Sequence, residues 1–373
     1  MSLTLLEGNE AVARGAVAAG CRFFAGYPIT PASTILNAML ALLPPIGGVC
    51  LQGEDEIASI GACLGASMAG LKVMTATSGP GISLYSEQIS FAVGSEIPIV
   101  IVDVQRLGPS TGSATRGADG DINFLRWGNS GGLPVIVLAP VNVADCFTLT
   151  IQAFNLAERF RCPVFVASNK EIAMTRESVD LEALQIPAII NRAAPPADTK
   201  FLPFQVREET SVPDFLPIGG KVLVRQTSST HGPNGYITTD HDEIAGIIKR
   251  LKNKIQSAVG EISFYESFTA KKAETLIISY GVTSRAAKAV FNELKKTKRP
   301  VSLLVLKTIW PVPETVIRQA ARDVRRVMVV EMNLGQYVHE IERILPDKPI
   351  DFIGQMDGRL ITPQDIKEKI ING

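Results

Sequence analysis

The feature of this sequence that most constrains its fold is an alternation of two kinds of segment over residues 1 to about 170. Short apolar runs alternate with longer stretches whose apolar residues have helical spacing. The strand-like runs are CRFFAG, GVCLQG, LKVMTATS, IPIVIVDV, LPVIVLAP and CPVFVAS. The helical stretches are NEAVARGAVAAG, PASTILNAMLALL, DEIASIGACLGASMAG, GISLYSEQISFAVGS and NVADCFTLTIQAFNLAERF. Strands that are apolar throughout indicate a parallel sheet covered by helices on both faces, so the pattern predicts a doubly wound α/β domain.

The alternation stops at about residue 185 and returns at about residue 273. Between these points the sequence is rich in proline and has no clear period, apart from the amphipathic stretch IAGIIKRLKNKI. The later strand-like runs are ETLIISYG, PVSLLVLKT, RRVMVVEMN and PIDFIGQ. We therefore predict a first α/β domain over 1–185, a linker region with one amphipathic helix over 186–270, and a smaller α/β domain over 271–373.

Charge and composition exclude several functional classes. The chain has 37 basic and 37 acidic residues, so no basic excess favours nucleic acid. The N-terminus lacks the basic start and apolar run of a signal peptide, and no apolar stretch is long enough for a membrane span. The five cysteines form no CxxC pair, which predicts buried free thiols in a reducing cytoplasm rather than a metal or iron–sulfur site. They are Cys21, Cys50, Cys63, Cys146 and Cys162.

Polar or glycine-rich loops follow four of the predicted strands. CRFFA ends in GYPIT, GVCLQ in GEDE, KVMTAT in SGPG, and IVIVDV in QRLGPSTG. Ligands of open α/β sheets collect where the carboxyl ends of parallel strands meet, so these loops predict one site on one edge of the sheet. The polar residues that the loops bring to this edge are Thr30, Glu54, Asp55, Glu56, Ser78, Arg106, Ser110 and Thr111.

The loop SGPG, residues 78 to 81, precedes a predicted helix. Its glycines could turn backbone N–H groups toward an anion, although such a pattern is common and not specific. Neither GxGxxG after the first strand nor GxxxxGK[ST] is present, which argues against a dinucleotide or a P-loop nucleotide.

Glu56 begins a helix whose next turns are small and apolar. The acidic run of residues 54 to 56 could simply complement the helix dipole. That interpretation does not explain the apolar helix behind Glu56, which predicts a shielded carboxylate suited to proton transfer.

Arg106 ends a very apolar strand. Its guanidinium could bind a substrate carboxylate in bidentate fashion, or it could pair with Asp103 or Asp119 of the same region. The three histidines, His231, His241 and His339, show no metal-binding spacing, and no GxSxG elbow supports a catalytic triad.

Several motifs, in this order along the chain, resemble the α subunit of the 2-oxoacid:ferredoxin oxidoreductases. They are GNEAVARGAVAAGCRFFAGYPITPAS, GEDEIASIGACLGASMAG, TSGPGISLYSEQI, QRLGPSTGSATRG, RWGNSGGLPVIVLAP, AFNLAERFRCPVFVAS, HGPNGYIT and VVEMNLGQY. Within that family the sequence is most similar to the 2-oxoglutarate type. The resemblance implies a pyrimidine-type thiamine-diphosphate-binding domain followed by a domain like the C-terminal domain of transketolase.

The resemblance also implies a reaction and a set of partners. Family members decarboxylate a 2-oxoacid oxidatively with thiamine diphosphate and coenzyme A, and pass electrons to ferredoxin. A β subunit supplies the diphosphate and Mg²⁺ site and the 4Fe-4S cluster. In agreement, GADGDINF at 117 to 124 is not the GDG motif of a diphosphate site, and cluster cysteines are missing. We expect a chain that is active only with its β subunit, in an (αβ)₂ or larger assembly, with a separate γ subunit if one is needed.

The family roles carry over to a few residues. Glu56 matches the glutamate that bonds the aminopyrimidine ring, and Ser78 and Gly79 are assigned to the same cofactor. Thr30 and Arg106 match the residues that bind the substrate carboxylate, and the neighbouring Tyr27 and Pro28 shape that loop.

Leu107, which stands where glycine is expected, and Arg116 depart from the commoner relatives. Branched-chain or other 2-oxoacids are therefore the alternative substrates. A non-catalytic assembly subunit is the alternative of another class, and the retention of Thr30, Glu56 and Arg106 argues against it.

Overall fold

A computed structural model describes residues 3–197, 200–208 and 211–372. The strands are β1 (Leu3–Glu7), β2 (Phe23–Gly26), β3 (Val49–Gln52), β4 (Val73–Thr77), β5 (Ile99–Gln105), β6 (Ile136–Leu138), β7 (Pro163–Asn169), β8 (Arg176–Asp180), β9 (Tyr265–Phe268), β10 (Thr275–Tyr280), β11 (Val301–Leu306), β12 (Thr308–Trp310), β13 (Arg326–Glu331) and β14 (Ile350–Gly354).

The α-helices are α1 (Gly8–Ala18), α2 (Ser33–Leu42), α3 (Glu56–Met68), α4 (Gly79–Leu84), α5 (Ser86–Gly94), α6 (Ile122–Trp127), α7 (Val143–Phe160), α8 (Lys170–Met174), α9 (His241–Gln256), α10 (Val259–Ile262), α11 (Thr283–Leu294), α12 (Glu314–Ala320), α13 (Val338–Ile344) and α14 (Pro363–Asn372). A short 3₁₀ helix covers Pro44–Ile46.

The first domain is built on a seven-stranded sheet in the order β12-β6-β7-β5-β4-β2-β3. Six of these strands pair in parallel, as the continuously apolar runs predicted. Every residue of the central strand β5 is buried. Its side chains alternate between two apolar cores, with Val100 and Val102 in one and Ile99 and Ile101 in the other. Helices thus cover both faces, and the predicted doubly wound architecture is confirmed.

The second sheet has five strands in the order β14-β13-β10-β11-β9. Its strands pair in parallel except for β9, which runs antiparallel to β11. Two strands lie on the other side of the predicted boundary at residue 271 from the rest of their sheet. Strand β9 lies before residue 271 yet belongs to the second sheet, whereas β12 lies after it and pairs antiparallel with β6 of the first sheet. The division of the chain at residues 185 and 271 stays a prediction.

Three local features differ from the pattern in the sequence. Residues 3 to 7 form strand β1, which pairs with β8 in a separate two-stranded sheet. The stretch GISLYSEQISFAVGS forms the two helices α4 and α5 rather than one. They meet at Tyr85, a fully buried side chain whose hydroxyl lies 2.9 Å from Thr75 Oγ1. A short helix, α6, also follows the DGD sequence where no helix was predicted.

The five cysteines are free thiols, four of them buried. Burial raises the pKa of Cys21 to about 12 and that of the half-buried Cys50 to about 11, so both thiols stay protonated near neutral pH. None of the helices in the described part of the chain combines the length and apolarity that a membrane span needs.

Candidate active site

The four polar loops meet at the carboxyl edge of the first sheet. Strands β3, β2, β4 and β5 are consecutive neighbours and run in the same direction. Gly26 pairs with Gln52, and Thr77 pairs with Asp103, so the residues that follow these strands leave the sheet side by side. The rule for parallel sheets therefore placed these loops correctly.

The loop after β2 presents Thr30 to the outside of the protein. Tyr27, Pro28 and Thr30 are all exposed, and the peptide bond between Thr30 and Pro31 is cis. The buried Asn9 supports this loop from behind, because its Nδ2 donates to Pro31 O at 2.8 Å. The Thr30 hydroxyl has no hydrogen-bond partner among the described residues and is free to contact a ligand.

Glu56 is the first residue of α3, and its side chain is buried. Asp55 caps the helix, since its Oδ1 accepts from Ala58 N at 2.7 Å. Capping and charge at the helix start therefore belong to Asp55, and they leave the burial of Glu56 unexplained. No described residue donates a hydrogen bond to the Glu56 carboxylate. A buried carboxylate without a protein donor calls for a partner from outside the chain.

The start of α4 is shaped to receive Glu56. A Cβ atom added at Gly81 would lie 3.0 Å from Glu56 Oε1 and 2.0 Å from Thr77 Oγ1, so only glycine fits there. The hydroxyls of Thr77 and Ser78 are buried and have no hydrogen-bond partner among the described residues. Ser78 precedes α4, and its carbonyl accepts from Gly81 N at 2.7 Å. The Glu56 carboxylate and the unpaired Thr77 hydroxyl thus both lie next to Gly81, and the unpaired Ser78 hydroxyl belongs to the residue that precedes the same helix.

Arg106 follows β5 and is buried, but it does not pair with Asp103 or Asp119. Its Nη1 donates to Thr30 O at 2.5 Å and its Nη2 donates to Thr111 O at 2.9 Å. Its Nε has no hydrogen-bond partner among the described residues. The guanidinium therefore joins the loop after β2 to the loop after β5, next to the Thr30 hydroxyl.

The second domain supports the loop of residues 107–121 from the far side. Asn333 Nδ2 donates to Asp119 O at 2.9 Å, and Gln336 Nε2 donates to Gly120 O at 2.5 Å. Asn169, at the end of β7, donates to Asp119 Oδ1 at 2.8 Å. Burial raises the pKa of Asp119 to about 7, and the nearby negative charge of Glu331 contributes to the rise. The position of this loop thus depends on contacts with both domains.

Asp103 and Asp121 are two site-adjacent acids that the sequence motifs did not reveal. Asp103 occupies the buried strand β5, and neither of its carboxylate oxygens has a hydrogen-bond partner among the described residues. Asp121 Oδ2 is unpaired too and lies 3.9 Å from the position of a Cβ atom at Gly79. The one available signal was an acid inside the apolar run IPIVIVDV.

Two other features lie away from this edge. His231 is buried against Phe204, with 3.8 Å between the ring centroids, and its Nδ1 lies 2.7 Å from Ser229 O.

A cavity of about 1070 Å³ lies at the amino ends of β10, β11 and β13, whereas the carboxyl ends of β10 and β13 face the 107–121 loop. Within residues 3–197, 200–208 and 211–372, no three His, Cys, Asp or Glu side chains could together hold a metal ion.

Comparison with protein families agrees with this arrangement. Residues 14–249 match the thiamine-diphosphate-binding domain of pyruvate flavodoxin/ferredoxin oxidoreductases, and residues 273–366 match core domain II of pyruvate:ferredoxin oxidoreductase. The chain is 39% identical to the 2-oxoglutarate synthase subunit KorA of Methanothermobacter marburgensis, over 98% of both chains. It is 33% identical to the ketoisovalerate oxidoreductase subunit VorB of Methanothermobacter thermautotrophicus, over 99% of this chain and 97% of that one.

Solved structures give the same family. The 2-oxoglutarate:ferredoxin oxidoreductase from Magnetococcus marinus superposes with a TM-score of 0.94 at 32% identity, over 99% of this chain. The chain spans 65% of that longer chain, which is less than two thirds. A split-gene transketolase superposes with a TM-score of 0.56 at 12% identity and shows a likeness of fold alone. The predicted fold class, a thiamine-diphosphate-binding fold with a smaller transketolase-like domain, is confirmed.

Proposed function

Because the chain belongs to the family of pyruvate flavodoxin/ferredoxin oxidoreductases, we propose that it is the α subunit of a 2-oxoglutarate:ferredoxin oxidoreductase. The complete enzyme would convert 2-oxoglutarate and coenzyme A to succinyl-coenzyme A and CO₂, and would pass two electrons one at a time to ferredoxin. The observation that carries the proposal is the buried Glu56 carboxylate, which has no protein donor and lies beside unpaired hydroxyls.

The residues at this edge fit the aminopyrimidine half of thiamine diphosphate. The Glu56 carboxylate is placed to accept a hydrogen bond from a protonated ring nitrogen, and burial makes that bond strong because water does not compete. Thr77 and Ser78 offer further unpaired hydroxyls, and Gly79 lets a ring approach the backbone. When bound, the cofactor supplies the carbon nucleophile that attacks the keto group. The Glu56 carboxylate would hold a proton at the ring nitrogen.

Thr30 and Arg106 fit a carboxylate of the substrate. The Thr30 hydroxyl is an exposed donor, and the Arg106 guanidinium lies against the Thr30 carbonyl with its Nε–H unpaired. A carboxylate bound between them would receive hydrogen bonds from one neutral and one charged donor. Tyr27 and Pro28 shape the loop that presents Thr30. The pair would hold the carboxylate at a fixed distance from the cofactor edge.

The site needs a second chain. Tyr27, Pro28 and Thr30 are exposed, so within this chain they line only one side of the proposed pocket. A β subunit would cover this wall and bring the diphosphate and Mg²⁺ site and the 4Fe-4S cluster that reduces ferredoxin. We expect an (αβ)₂ or larger assembly, with a separate γ subunit if coenzyme A chemistry requires one. The relatives that match this chain over their whole length are themselves named as subunits.

The choice of 2-oxoacid rests on similarity. Identity is 39% to the 2-oxoglutarate synthase subunit and 33% to the ketoisovalerate oxidoreductase subunit. In the 107–121 loop, Leu107 directly follows Arg106, and Leu107 N donates to Arg116 O at 2.8 Å, so Leu107 and Arg116 are neighbours. This loop would face the distal end of the substrate and would discriminate between a charged and a branched side chain.

A substrate panel tests the proposal. The chain, co-produced with its β partner and supplied with thiamine diphosphate, Mg²⁺ and coenzyme A, is assayed anaerobically for viologen reduction with 2-oxoglutarate, pyruvate and 2-oxoisovalerate. The proposal predicts that 2-oxoglutarate gives the highest kcat/KM. A branched-chain acid in first place would overturn the substrate assignment. No turnover with any acid, in a complex that assembles, would favour a non-catalytic assembly subunit.

A further inference from the structure

The loop that follows Arg106 is joined to itself by its own hydrogen bonds. Leu107 N donates to Arg116 O, and Ser113 N donates to Leu107 O, both at 2.8 Å, so the two arms of the loop are linked at its base. Nearer the tip, Thr111 O accepts from Arg106 Nη2 at 2.9 Å. The position of this loop therefore sets the orientation of the Arg106 guanidinium.

The two arms of the loop are anchored in different ways. The outgoing arm continues directly from β5, a strand that is buried along its whole length. The returning arm is attached to the first sheet through side chains. Asn169 Nδ2 donates to Asp119 Oδ1 at 2.8 Å, and Asp121 N donates to Gln105 Oε1 at 3.0 Å. The returning arm is thus the part whose position other contacts can set.

The second domain reaches the returning arm through residues 332–336, which directly follow β13 and are named the bracing segment. Asp119 N donates to Met332 O at 2.8 Å, and Asn333 Nδ2 donates to Asp119 O at 2.9 Å. Asn333 is fully buried, and its Oδ1 accepts from Gln336 N at 3.0 Å. The side chain that contacts the loop therefore also orders the bracing segment.

Gln336 contacts two places on the returning arm. Its Nε2 donates to Gly120 O at 2.5 Å, and its Oε1 accepts from Asn123 N, in the first turn of α6, at 2.8 Å. The side chain is only half-buried, so its replacement leaves the apolar cores of both domains intact. Gln336 thus joins the end of the loop to the second domain without being a core residue.

Residues that follow β14 contact the same loop from the second domain. A Cβ atom added at Gly120 would lie 3.3 Å from Met356 Cε, and one added at Gly108 would lie 3.9 Å from it. A Cβ atom added at Gly358 would lie 2.9 Å from Arg116 Cβ, so Gly358 packs closely against the Arg116 side chain. The second domain therefore contacts both arms of the loop.

We propose that Gln336 is a positioning residue, through which the second domain holds the 107–121 loop and keeps the Arg106 guanidinium oriented toward the 2-oxoacid carboxylate. The inference rests on the proposed function, because it takes Arg106 as the carboxylate-binding residue. It gives the second domain a part in substrate binding. Loss of this positioning would act on substrate affinity through Arg106, whereas loss of a merely structural contact would act in the same way with or without that arginine.

The first experiment measures the loop without any turnover. Amide hydrogen exchange of the isolated chain is followed by mass spectrometry for the native protein, Gln336→Leu, Met356→Ala and Gln319→Leu. Peptides that cover residues 107–123 should exchange about tenfold faster in Gln336→Leu and about twofold faster in Met356→Ala, and peptides from β10 and β11 should keep their native rates. Native exchange of residues 107–123 in both variants overturns the inference.

Gln319→Leu is the matched control for this substitution. Gln319 is an exposed glutamine of α12 in the same domain, and its side chain has no hydrogen bond among the described residues. The control should keep native exchange rates and native kinetics. If Gln336→Leu exchanges rapidly along the whole chain and is therefore unfolded, Met356→Ala decides the question by the same measurements.

The second experiment measures KM and kcat of the complex with the β partner in a double-mutant cycle. Gln336→Leu should raise the KM for the 2-oxoacid about fivefold, the effect of one neutral hydrogen bond, and should change kcat by less than about twofold. In an Arg106→Ala background the same substitution should not raise KM further, because its effect passes through the guanidinium. An equal rise in that background, or a fall in kcat at native KM, overturns the positioning role.

The outcomes separate this inference from the proposed function. Failure of the native complex to turn over any 2-oxoacid sinks the proposed function, and the exchange rates still decide whether the bracing segment holds the loop. A native KM in Arg106→Ala overturns the inference together with the assignment of Arg106, although turnover of 2-oxoglutarate would still support the proposed reaction.

Discussion

A buried acid lies near each end of strand β5, and only one of the two acids is paired with basic side chains. Glu96, before the amino end, receives Arg250 Nη1 at 2.9 Å and Lys254 Nζ at 2.8 Å, both from α9. Although burial alone would raise it, the charges of Lys254 and Arg250 hold the pKa of Glu96 well below its usual range. Asp103, near the carboxyl end, receives no such partner, and burial together with Asp121 raises its pKa.

The two ends of β5 differ in whether their buried polar groups find partners within the chain. At the amino end the chain supplies every charge that Glu96 needs, which is the pattern of a structural ion cluster. At the carboxyl end several buried polar atoms are unpaired among the described residues: Thr77 Oγ1, Ser78 Oγ, Asp103 Oδ1 and Oδ2, Arg106 Nε, Asp119 Oδ2, Asp121 Oδ2 and Ser168 Oγ. Buried groups without partners are rare in native proteins, which supports the proposal that molecules outside the chain complete this edge.

The largest expected effect is on catalysis at the carboxyl end. Glu56→Gln should lower kcat of the complex by about 10² to 10⁴, since it removes a positioned proton acceptor and leaves the shape unchanged. Glu54→Gln is the matched control, because Glu54 is exposed two residues away on the same loop. Viologen reduction at saturating 2-oxoacid measures both. Full activity in Glu56→Gln would remove this residue from the site.

Glu96→Gln should change stability rather than chemistry. Removing the charge leaves Arg250 and Lys254 buried without their counter-ion, which costs about 3–5 kcal/mol of unfolding free energy. Denaturant unfolding of the isolated chain measures the loss, with Glu182→Gln on the surface as control. If Glu96→Gln left stability intact but abolished turnover, the contrast between the two ends of β5 would be wrong.

Arg106→Ala should act mainly on substrate affinity. Loss of one charged hydrogen bond to a carboxylate, worth about 1.5–3 kcal/mol, corresponds to a rise in KM of about ten- to a hundredfold. Arg106→Lys keeps the charge but not the two contacts to Thr30 O and Thr111 O, so it should recover part of the affinity. A normal KM in Arg106→Ala would make the arginine a purely structural link between loops.

The smallest effect concerns Asp119. Its folded pKa, about 7, lies above the ordinary value, so its contribution to stability is greatest below about pH 4 and declines as pH rises toward 7. Asp119→Asn should therefore be more stable than the native chain at pH 8, by on the order of 2 kcal/mol, and should show no advantage at pH 4. Thermal unfolding at both pH values checks the sign. A destabilised variant at pH 8 would mean that the negative charge is needed there.

The sequence revealed those parts of the fold that depend on local pattern. Continuous apolar runs identified β5 and β7, because a strand that is buried on both faces has apolar residues along its whole length. The pairing of β12 with β6 was not visible, since it joins residues about 170 positions apart through three residues of strand. The break between α4 and α5 at Tyr85 was not predicted either; the Tyr85 side chain is buried there, and its hydroxyl contacts Thr75 of strand β4.

For the site, the rule of carboxyl ends and the resemblance were enough to choose Thr30, Glu56 and Arg106. The contacts of Arg106 with two carbonyls were not predictable, because they depend on the conformations of two loops. The sequence offered Asp103 as a possible partner of Arg106, but both carboxylate oxygens of Asp103 lack a hydrogen-bond partner among the described residues. The roles of all the chosen residues as catalytic, cofactor or substrate contacts stay predictions: Thr30, Glu56, Arg106, Ser78, Gly79, Tyr27 and Pro28.

We propose that the carboxyl edge of the first sheet forms one half of a cofactor site. Calorimetric titration of thiamine diphosphate with Mg²⁺ into the isolated chain, and into its complex with the β partner, tests it most directly. We expect saturable binding of one cofactor per αβ pair in the complex, weakened by Glu56→Gln, and no saturable binding by the isolated chain at the same concentrations. Equal affinity in the isolated chain, or a complex whose affinity ignores Glu56→Gln, would contradict it.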